Sequence, residues 1–160
     1  MIALLIVLCI SLVIIFWQDL KIRHIHVVLP LVVFGSAYFL TNYPQNNLKL
    51  IGINVLFFCF TIVLLTLYMS VKNKRFLNPF QNYFGLGDLL FYIAITPLFI
   101  LHNYILFFIT SLLFTIVMQF VLRKWIKKDS VPLAGLSALL LLLIIVKDVV
   151  FSFQKITLIR

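Results

Sequence analysis

Acidic side chains are scarce in this sequence: it has no glutamate, and its carboxylates belong to Asp19, Asp88, Asp129 and Asp148. Lysine and arginine number 13 against these four acids, which gives a formal net charge of +9. Cysteine is rarer still, and the two cysteines lie in apolar stretches without CxxC spacing, so we expect Cys9 and Cys59 to behave as small apolar residues. Two of the acids, Asp19 and Asp88, lie where hydrophobic stretches meet short polar loops. A carboxylate at such a boundary is costly unless it has a function.

Hydrophobic composition sets the broad class of protein. The chain is 64% hydrophobic with a mean hydropathy of +1.21, more than a soluble domain of this length needs for one core. Apolar stretches of spanning length recur along the chain. The first stretch lacks the basic start and small-residue cleavage site of a signal peptide, so we interpret it as a retained span. The sequence therefore predicts an all-α, polytopic membrane protein.

Six hydrophobic segments predict six transmembrane helices in one integral-membrane domain, residues 1–160. One helix through the fourth and fifth segments would be roughly 50 Å long, well beyond a hydrocarbon core of about 30 Å. We therefore predict a turn near His102–Asn103. The predicted segments are Ile2–Trp17, Ile25–Leu40, Leu50–Val71, Leu89–Leu101, Tyr104–Leu122 and Val131–Phe153.

Basic residues are unevenly divided between the loops, and this predicts the orientation. Nine fall in the first, third and fifth loops and four on the other side, which by the positive-inside rule places the odd loops in the cytoplasm and both termini outside. Topology and contact with anionic membrane lipids then account for the net charge without a nucleic-acid partner. The nine are Lys21, Arg23, Lys72, Lys74, Arg75, Arg123, Lys124, Lys127 and Lys128; the four are Lys49, Lys147, Lys155 and Arg160.

The same topology brings two of the acids to one membrane face. Asp19 follows the first span and Asp88 precedes the fourth, so both are predicted at the cytoplasmic face although they are 69 positions apart. Asp129 is predicted on that face too, but inside a basic loop. Asp148 is predicted near the outer end of the last span, where the adjacent Lys147 would neutralise it. The sequence does not indicate whether Asp19 and Asp88 approach each other at rest.

Paired aspartates at one depth are typical of aspartyl hydrolysis. Neighbouring carboxylates cannot easily both ionise, so they can share a proton, one acting as general base on a water and the other polarising the scissile carbonyl. Gly85 and Gly87, in the run Gly85-Leu86-Gly87-Asp88, would allow unusual backbone conformations and a close approach to a substrate chain. This chemistry requires neither a metal nor an organic cofactor.

The run Gly85-Leu86-Gly87-Asp88 resembles the GxGD motif of intramembrane aspartyl proteases. Asp19 before Lys21-Ile22-Arg23 resembles the first aspartate of type IV prepilin peptidases and the related archaeal preflagellin peptidases. Where that family usually has Ile-Pro-Asn, this chain has Ile25-His26-Val27 and lacks the proline and asparagine. Val131-Pro132-Leu133-Ala134-Gly135 is similar to the stretch that opens the family's final helix. The resemblance runs from about residue 17 to 140.

The resemblance implies a membrane aspartyl endopeptidase of the plasma membrane, with Asp19 and Asp88 as catalytic residues and Gly85 and Gly87 as motif support. Its substrate would be a prepilin-like precursor, cut after a glycine that follows a short basic leader, on the cytoplasmic face. Larger members carry an extra cytoplasmic region with paired cysteines and also methylate the new N-terminus. The loops of this chain are too short for a separate methyltransferase-type domain. Neither the precursor nor the oligomeric state follows from the sequence.

Structural interpretations of the same residues remain open. Asp88 could cap the fourth helix, and Asp19 could be an interfacial acid balanced by nearby cations. His24 and His26 lack the further ligands that a metal site would need. The basic cluster Arg123–Lys128 is typical of a lipid anchor rather than a substrate clamp, whereas Gln81, Asn82 and Tyr83 could help to position a peptide.

Rival functions remain open as well. A lipoprotein signal peptidase has a similar length, but the asparagines that usually precede its aspartates are missing, and it works on the outer face. The presenilin group shares GxGD but has more spans. A non-enzymatic membrane subunit, serving as a scaffold or in transport, is the alternative from a different class. Only a cleaved product distinguishes it from an enzyme.

Overall fold

The computed structural model describes residues 1–41, 47–74, 85–122, 131–150 and 155–159. These residues form six α-helices and one short 3₁₀ turn, and they contain no β-strand. The all-α expectation is therefore confirmed for this part of the chain. The helices are α1 (Ile2–Lys21), α2 (Val28–Leu40), α3 (Asn47–Asn73), α4 (Leu86–Ala94), α5 (Leu101–Leu122) and α6 (Leu133–Val150), with the 3₁₀ turn at Thr96–Leu98.

Four of these helices are long and apolar enough to cross a membrane: α1, α3, α5 and α6. Helix α2 and the segment Leu86–Leu98 are apolar but shorter. At about 1.5 Å per residue, each of these 13-residue segments is roughly 20 Å long, less than a hydrocarbon core of about 30 Å. Many large apolar side chains on the long helices are exposed, as is typical of surfaces that face lipid. The chain is a membrane protein of several apolar helices.

The helices run between two ends of one bundle. At the aspartate end, defined by Asp19 and Asp88, the last turn of α1 and the first turn of α4 both contact the start of α6. At the opposite end, Ile2, Leu40 and Asp148 line a common cavity of about 210 Å³, so α1 begins where α2 and α6 finish. Consecutive elements therefore alternate in direction, and α1 packs antiparallel to α6.

Helix α1 extends further than the sequence predicted. It continues through Lys21 instead of ending at Trp17, so Asp19 lies in its last turn rather than in a loop. The side chain of Asp19 is only 6% exposed because α6 covers it. The predicted sixth segment also begins later than expected, since α6 starts at Leu133, directly after Pro132. Because α1 ends later and α6 starts later than predicted, the last turn of α1 with Asp19 lies against the first turn of α6, after Pro132.

The turn predicted near His102–Asn103 occurs a few residues earlier. Both residues lie inside α5, and the chain turns earlier, through the 3₁₀ turn that contains Pro97. Proline has no backbone N–H to continue a helix, so it ends the regular α-helical ladder there. Asn54 of α3 stabilises the turn, because its side-chain nitrogen donates to the carbonyl oxygens of Thr96 (3.0 Å) and Phe99 (2.8 Å).

A buried polar cluster joins three helices in the middle of the bundle. The hydroxyl of Tyr92 on α4 bonds Ser111 of α5 at 2.8 Å and Ser137 of α6 at 2.9 Å. Tyr104 donates to the carbonyl oxygen of Tyr92 at 3.0 Å, and Phe58 packs against the Tyr92 ring. Tyr92 lies one turn after Asp88, so this cluster fixes the rotation of the helix that carries the aspartate.

The aspartate near the outer end of the last predicted span has a structural role. Asp148 is 3% exposed, and its Oδ2 accepts hydrogen bonds from the Ile156 amide (2.9 Å), the Thr157 amide (2.7 Å) and the Thr157 hydroxyl (2.7 Å). Lys147 lies 3.4 Å from its Oδ1, as the sequence predicted. Asp148 therefore attaches the segment 155–159 to the opposite end of the bundle, away from Asp19 and Asp88.

Candidate active site

Asp19 and Asp88 meet at the first turn of α6. The amide of Ala134 donates to Asp88 Oδ1 at 2.8 Å, and the amide of Gly135 donates to Asp19 Oδ2 at 2.6 Å. These two amides belong to the first turn of a helix, where N–H groups have no partner within the helix. Side chains from two other helices therefore cap the start of α6.

The two carboxyl groups bind neighbouring amides of α6. Adjacent amide nitrogens of a helix are roughly 3 Å apart, so the two bonded carboxylate oxygens lie within roughly 8 Å of each other. The carboxylates of Asp19 and Asp88 also interact electrostatically. The partial positive charge at the start of α6 favours negative charge at this place. Residues 69 positions apart in sequence thus form one paired acidic site in the resting state.

Asp88 also stabilises its own helix. It is the third residue of α4, and its Oδ2 accepts a hydrogen bond of 3.1 Å from the amide of Gly85, the residue that caps the helix. The structural interpretation of Asp88 is therefore partly correct, although Asp88 is not itself the capping residue. Each carboxylate oxygen has two lone pairs, so both oxygens can still accept a further hydrogen bond.

The expected conformational role of the motif glycines was wrong. No glycine in the described residues has a positive φ; Gly85 has φ −70° and ψ 147°, and Gly87 is helical. Space is the actual requirement. A Cβ on Gly87 would lie 3.1 Å from Ile25 Cδ1, and a Cβ on Gly85 would lie 3.2 Å from Asp88 Oδ2. The absence of a side chain at Gly87 lets the start of α4 lie close to Ile25 in the loop that follows α1, whereas the contact at Gly85 is with Asp88 of the same helix.

Gly135 is a site residue that the sequence analysis did not single out. A Cβ there would lie 2.8 Å from Asp19 Cβ and 3.0 Å from Asp19 Oδ2, closer than real Cβ atoms come to their neighbours. Glycine is therefore required for α1 and α6 to approach this closely. The signal was present in the stretch Val131-Pro132-Leu133-Ala134-Gly135, but only as a helix start, because its contact with residue 19 is not visible in the sequence.

The loop between α1 and α2 borders the site. Gln18 accepts a hydrogen bond of 3.3 Å from the amide of His26, and Ile25 packs on Gly87 of α4. Within this loop Arg23 has a φ of 63°, a left-handed conformation that is uncommon for a residue with a side chain. The loop is therefore held on both sides, with Arg23 at its turn.

The Arg23 guanidinium lies near both aspartates without forming an ion pair with either. It interacts electrostatically with Asp19 and Asp88, yet neither carboxylate lies within 4 Å of it among the ion pairs of the described residues. Burial lowers the pKa of the guanidinium, and the two carboxylates oppose this shift. A guanidinium is not deprotonated in proteins, so the side chain carries a positive charge.

Other candidate residues lie apart from this site. His24 and His26 are exposed, and His102 is in α5 near the opposite end. Within the described residues, no group of three or more His, Cys, Asp or Glu side chains is placed to hold a metal ion. Asp129, the basic cluster Arg123–Lys128, and Gln81, Asn82 and Tyr83 lie outside the described residues.

Comparisons with models of protein families, with curated proteins and with solved structures find no match to this chain. The geometry of the paired aspartates therefore carries the functional argument.

Proposed function

We propose that this protein is a membrane aspartyl endopeptidase that removes the short basic leader of type IV prepilin-like precursors, cutting after a glycine. One observation carries the proposal. Asp19 and Asp88, from two separate helices, bind adjacent amides of a third helix and so form a close acidic pair. The early aspartate and the GxGD run, which led to the resemblance, are the residues that form this pair.

The proposed topology has six membrane crossings, with both termini outside and the aspartate end in the cytoplasmic half of the plasma membrane. The alternating direction of the helices supports this count, since each helix runs from one end of the bundle to the other. The distribution of lysine and arginine supports the orientation. Helix α2, and helix α4 together with its 3₁₀ turn, are each roughly 20 Å long. The loops at their ends would therefore lie within the hydrocarbon region instead of among the lipid headgroups.

In the proposed mechanism the pair holds one proton. The ionised carboxylate removes a proton from a water, which attacks the carbonyl carbon of the leader glycine, while the protonated partner donates to the oxygen of that carbonyl. Collapse of the tetrahedral intermediate breaks the C–N bond, and the amine of the mature segment takes up the proton that the general base removed. One hydroxyl proton of the intermediate returns to the partner carboxylate, which restores the starting pair. The amides of Ala134 and Gly135 keep both carboxyl groups oriented throughout.

The test is co-expression with a prepilin-like precursor, comparing the wild type with Asp19→Asn and Asp88→Asn. We expect the wild type to yield a shorter product whose N-terminus follows a glycine, and neither variant to yield it. Asp19→Asn is the cleaner variant, because asparagine keeps one oxygen for the Gly135 amide while losing the acid–base function. Cleavage that persists in either variant would rule out the pair.

A matched control uses the same substitution at the opposite end of the bundle. Asp148→Asn keeps an acceptor oxygen for the segment 155–159 and changes no group near the aspartate pair. We expect it to cleave the precursor at the wild-type rate once the amounts of inserted protein are equal. If Asp148→Asn loses cleavage as completely as Asp19→Asn, the losses report folding rather than catalysis.

A non-enzymatic membrane subunit is the second candidate, and one observation favours it. Both oxygens of Asp88 and one oxygen of Asp19 already accept backbone hydrogen bonds, which would explain these acids as helix caps. On this hypothesis no precursor is cut, and Asp19→Asn, which retains the cap, behaves as the wild type. Absence of any cleaved product from several precursors, with well-inserted protein, would favour this function.

A further inference from the structure

The side chain of Arg23 has hydrogen-bond donors that no described residue uses. Its Nε, Nη1 and Nη2 atoms are all buried from solvent, and none of them has a hydrogen-bond partner among the described residues. A buried guanidinium without acceptors is costly, because its donors have lost water and gained nothing in return. Such a group in a native structure calls for an explanation, and a ligand absent from the structure is one.

The backbone at Arg23 adds a second, independent observation. Its φ of 63° costs energy for any residue that has a Cβ, and glycine would adopt the same conformation at lower cost. The loop keeps an arginine there nevertheless, although Gln18 and Ile25 already fix its position on both sides. Strain of this kind is typical of functional positions.

The third observation is the position of the Arg23 guanidinium relative to the two aspartates. Arg23 acts electrostatically on both Asp19 and Asp88 but forms no ion pair with either within 4 Å, so a gap separates the guanidinium from the pair. The carboxylates use their hydrogen bonds on Gly85, Ala134 and Gly135 instead. Arg23 is therefore held near the acids with buried donors that no described residue uses.

We propose that Arg23 is a substrate-binding residue, whose guanidinium donates hydrogen bonds to backbone carbonyl oxygens of the precursor segment held at Asp19 and Asp88. The inference rests on the proposed function and deepens it by assigning a donor for the peptide. A planar guanidinium has five N–H groups in a fixed arrangement, so it can hold two carbonyl oxygens of an extended chain at once. These oxygens would supply the acceptors that the resting site lacks.

A membrane phosphate is the other source of acceptor oxygens at this depth. The three buried nitrogens argue against it, because a lipid headgroup binds at the solvated surface of a protein, where lysine serves as well as arginine. Lys21, two positions earlier and exposed, is placed for that role. The same pair of cations thus provides an internal comparison between peptide and lipid contacts.

The first measurement is precursor binding to the Asp19→Asn variant. This variant is expected not to cleave the peptide, so its affinity can be measured without turnover. Purified protein in phosphatidylcholine nanodiscs would be titrated with a fluorescent precursor peptide, with and without Arg23→Gln, Arg23→Lys or Lys21→Gln. We expect Arg23→Gln to weaken binding about 10- to 100-fold, as when a buried hydrogen-bonding group loses its partner. Arg23→Lys should retain part of the affinity that Arg23→Gln loses. Lys21→Gln should bind the precursor as tightly as its parent.

A stability measurement guards against a variant that fails to fold. Arg23→Gly removes the side chain and relieves the left-handed backbone, so we expect an equal or higher melting temperature together with the same loss of precursor binding. A purely structural arginine would give the opposite result, a lower melting temperature with binding intact in the folded fraction. Adding an anionic lipid to the nanodiscs should leave the Arg23→Gln defect unchanged.

Two outcomes would overturn the assignment. Equal precursor affinity for Arg23→Gln and its parent would refute peptide binding, and a defect seen only in anionic nanodiscs would assign Arg23 to lipid. Both results are distinguishable from failure of the proposed function. If the wild type never cleaves the precursor but binding still depends on Arg23, the peptidase proposal fails and the binding site stands.

Discussion

Replacing Gly135 with alanine is the sharpest perturbation of the aspartate pair. The new Cβ would lie 2.8 Å from Asp19 Cβ, about 0.6 Å short of the 3.4 Å at which ordinary contact begins. Neither atom belongs to a flexible end of a side chain, because one is a Cβ on α1 and the other a Cβ on α6. The two helices must therefore separate or Asp19 must leave the Gly135 amide.

Either response has a calculable cost. Inserting a methyl group into a well-packed site typically costs about 1–3 kcal/mol. If Asp19 moves away instead, the hydrogen bond from the Gly135 amide is lost, and a bond to a charged group contributes about 1.5–3 kcal/mol. These are alternatives, so we expect Gly135→Ala to lower the free energy of unfolding by about 1–3 kcal/mol.

The expected effect on cleavage is larger than the effect on stability. A displacement of about 1 Å at a catalytic group reduces the rate roughly 100-fold, so we expect kcat/KM to fall by about two orders of magnitude. The measurement is precursor cleavage by purified protein, with folding followed by thermal unfolding in the same detergent. The comparison must be made on the folded fraction alone.

The chain supplies two matched controls. Gly35 of α2 and Gly52 of α3 are also helical, and a Cβ at either position meets nothing within 4 Å. We expect Gly35→Ala and Gly52→Ala to leave cleavage unchanged and to stabilise the protein by up to about 1 kcal/mol. Cleavage by Gly135→Ala within threefold of these controls would refute the claim that the close approach at Gly135 positions Asp19.

Three further perturbations test other parts of the structure. Gly87→Ala should reduce cleavage, because the new Cβ would lie 3.1 Å from Ile25 Cδ1. Adding Ile25→Ala removes the Cδ1 atom and should restore part of the cleavage. No recovery in the double variant would contradict this contact. Tyr92→Phe should lower stability by about 1–2 kcal/mol in thermal unfolding through loss of its two serine partners, and an unchanged melting curve would show that the cluster adds nothing. Asp148→Ala should expose the segment 155–159 to limited proteolysis while leaving precursor cleavage by the folded protein intact, and Thr157→Val should do so to a smaller degree. Equal resistance of the wild type and Asp148→Ala to the protease would contradict the role of Asp148 as an anchor.

The helical architecture was predictable because hydrophobic runs and their lengths are local properties. The α-helical class and the membrane character follow from composition, and the number and order of apolar segments match the helices that the structure describes. The exact position of a turn was harder to predict, because it depends on a single residue and its contacts. The break before α5 was expected near His102–Asn103 because one helix through both segments would be too long, whereas Pro97 and the Asn54 hydrogen bonds determine its actual place.

The candidate site was predictable only in part, for the same reason. Counting segments placed Asp19 and Asp88 at one end of the bundle, but nothing in the sequence indicated that both bind the first turn of α6. The glycines were expected to provide backbone freedom, and the structure shows that they provide room for a neighbour. Contacts between residues more than 100 positions apart, such as Asp19 with Gly135, depend on how helices pack and leave no local pattern.

The resting pair raises a physical question, because two carboxylates so close together and so poorly exposed to water should repel each other. Three features of the site offset that repulsion. The start of α6 contributes roughly half a positive charge, the backbone amides bind one oxygen of Asp19 and both oxygens of Asp88, and the Arg23 guanidinium adds a full positive charge nearby. The summed charge is then about −0.5 with both carboxyl groups ionised and about +0.5 with one shared proton, so the site is close to neutral in either state. The same contacts that stabilise the ends of α1, α4 and α6 also hold the two carboxyl groups in place, so in this bundle the capping of helices and the proposed chemistry depend on the same few atoms.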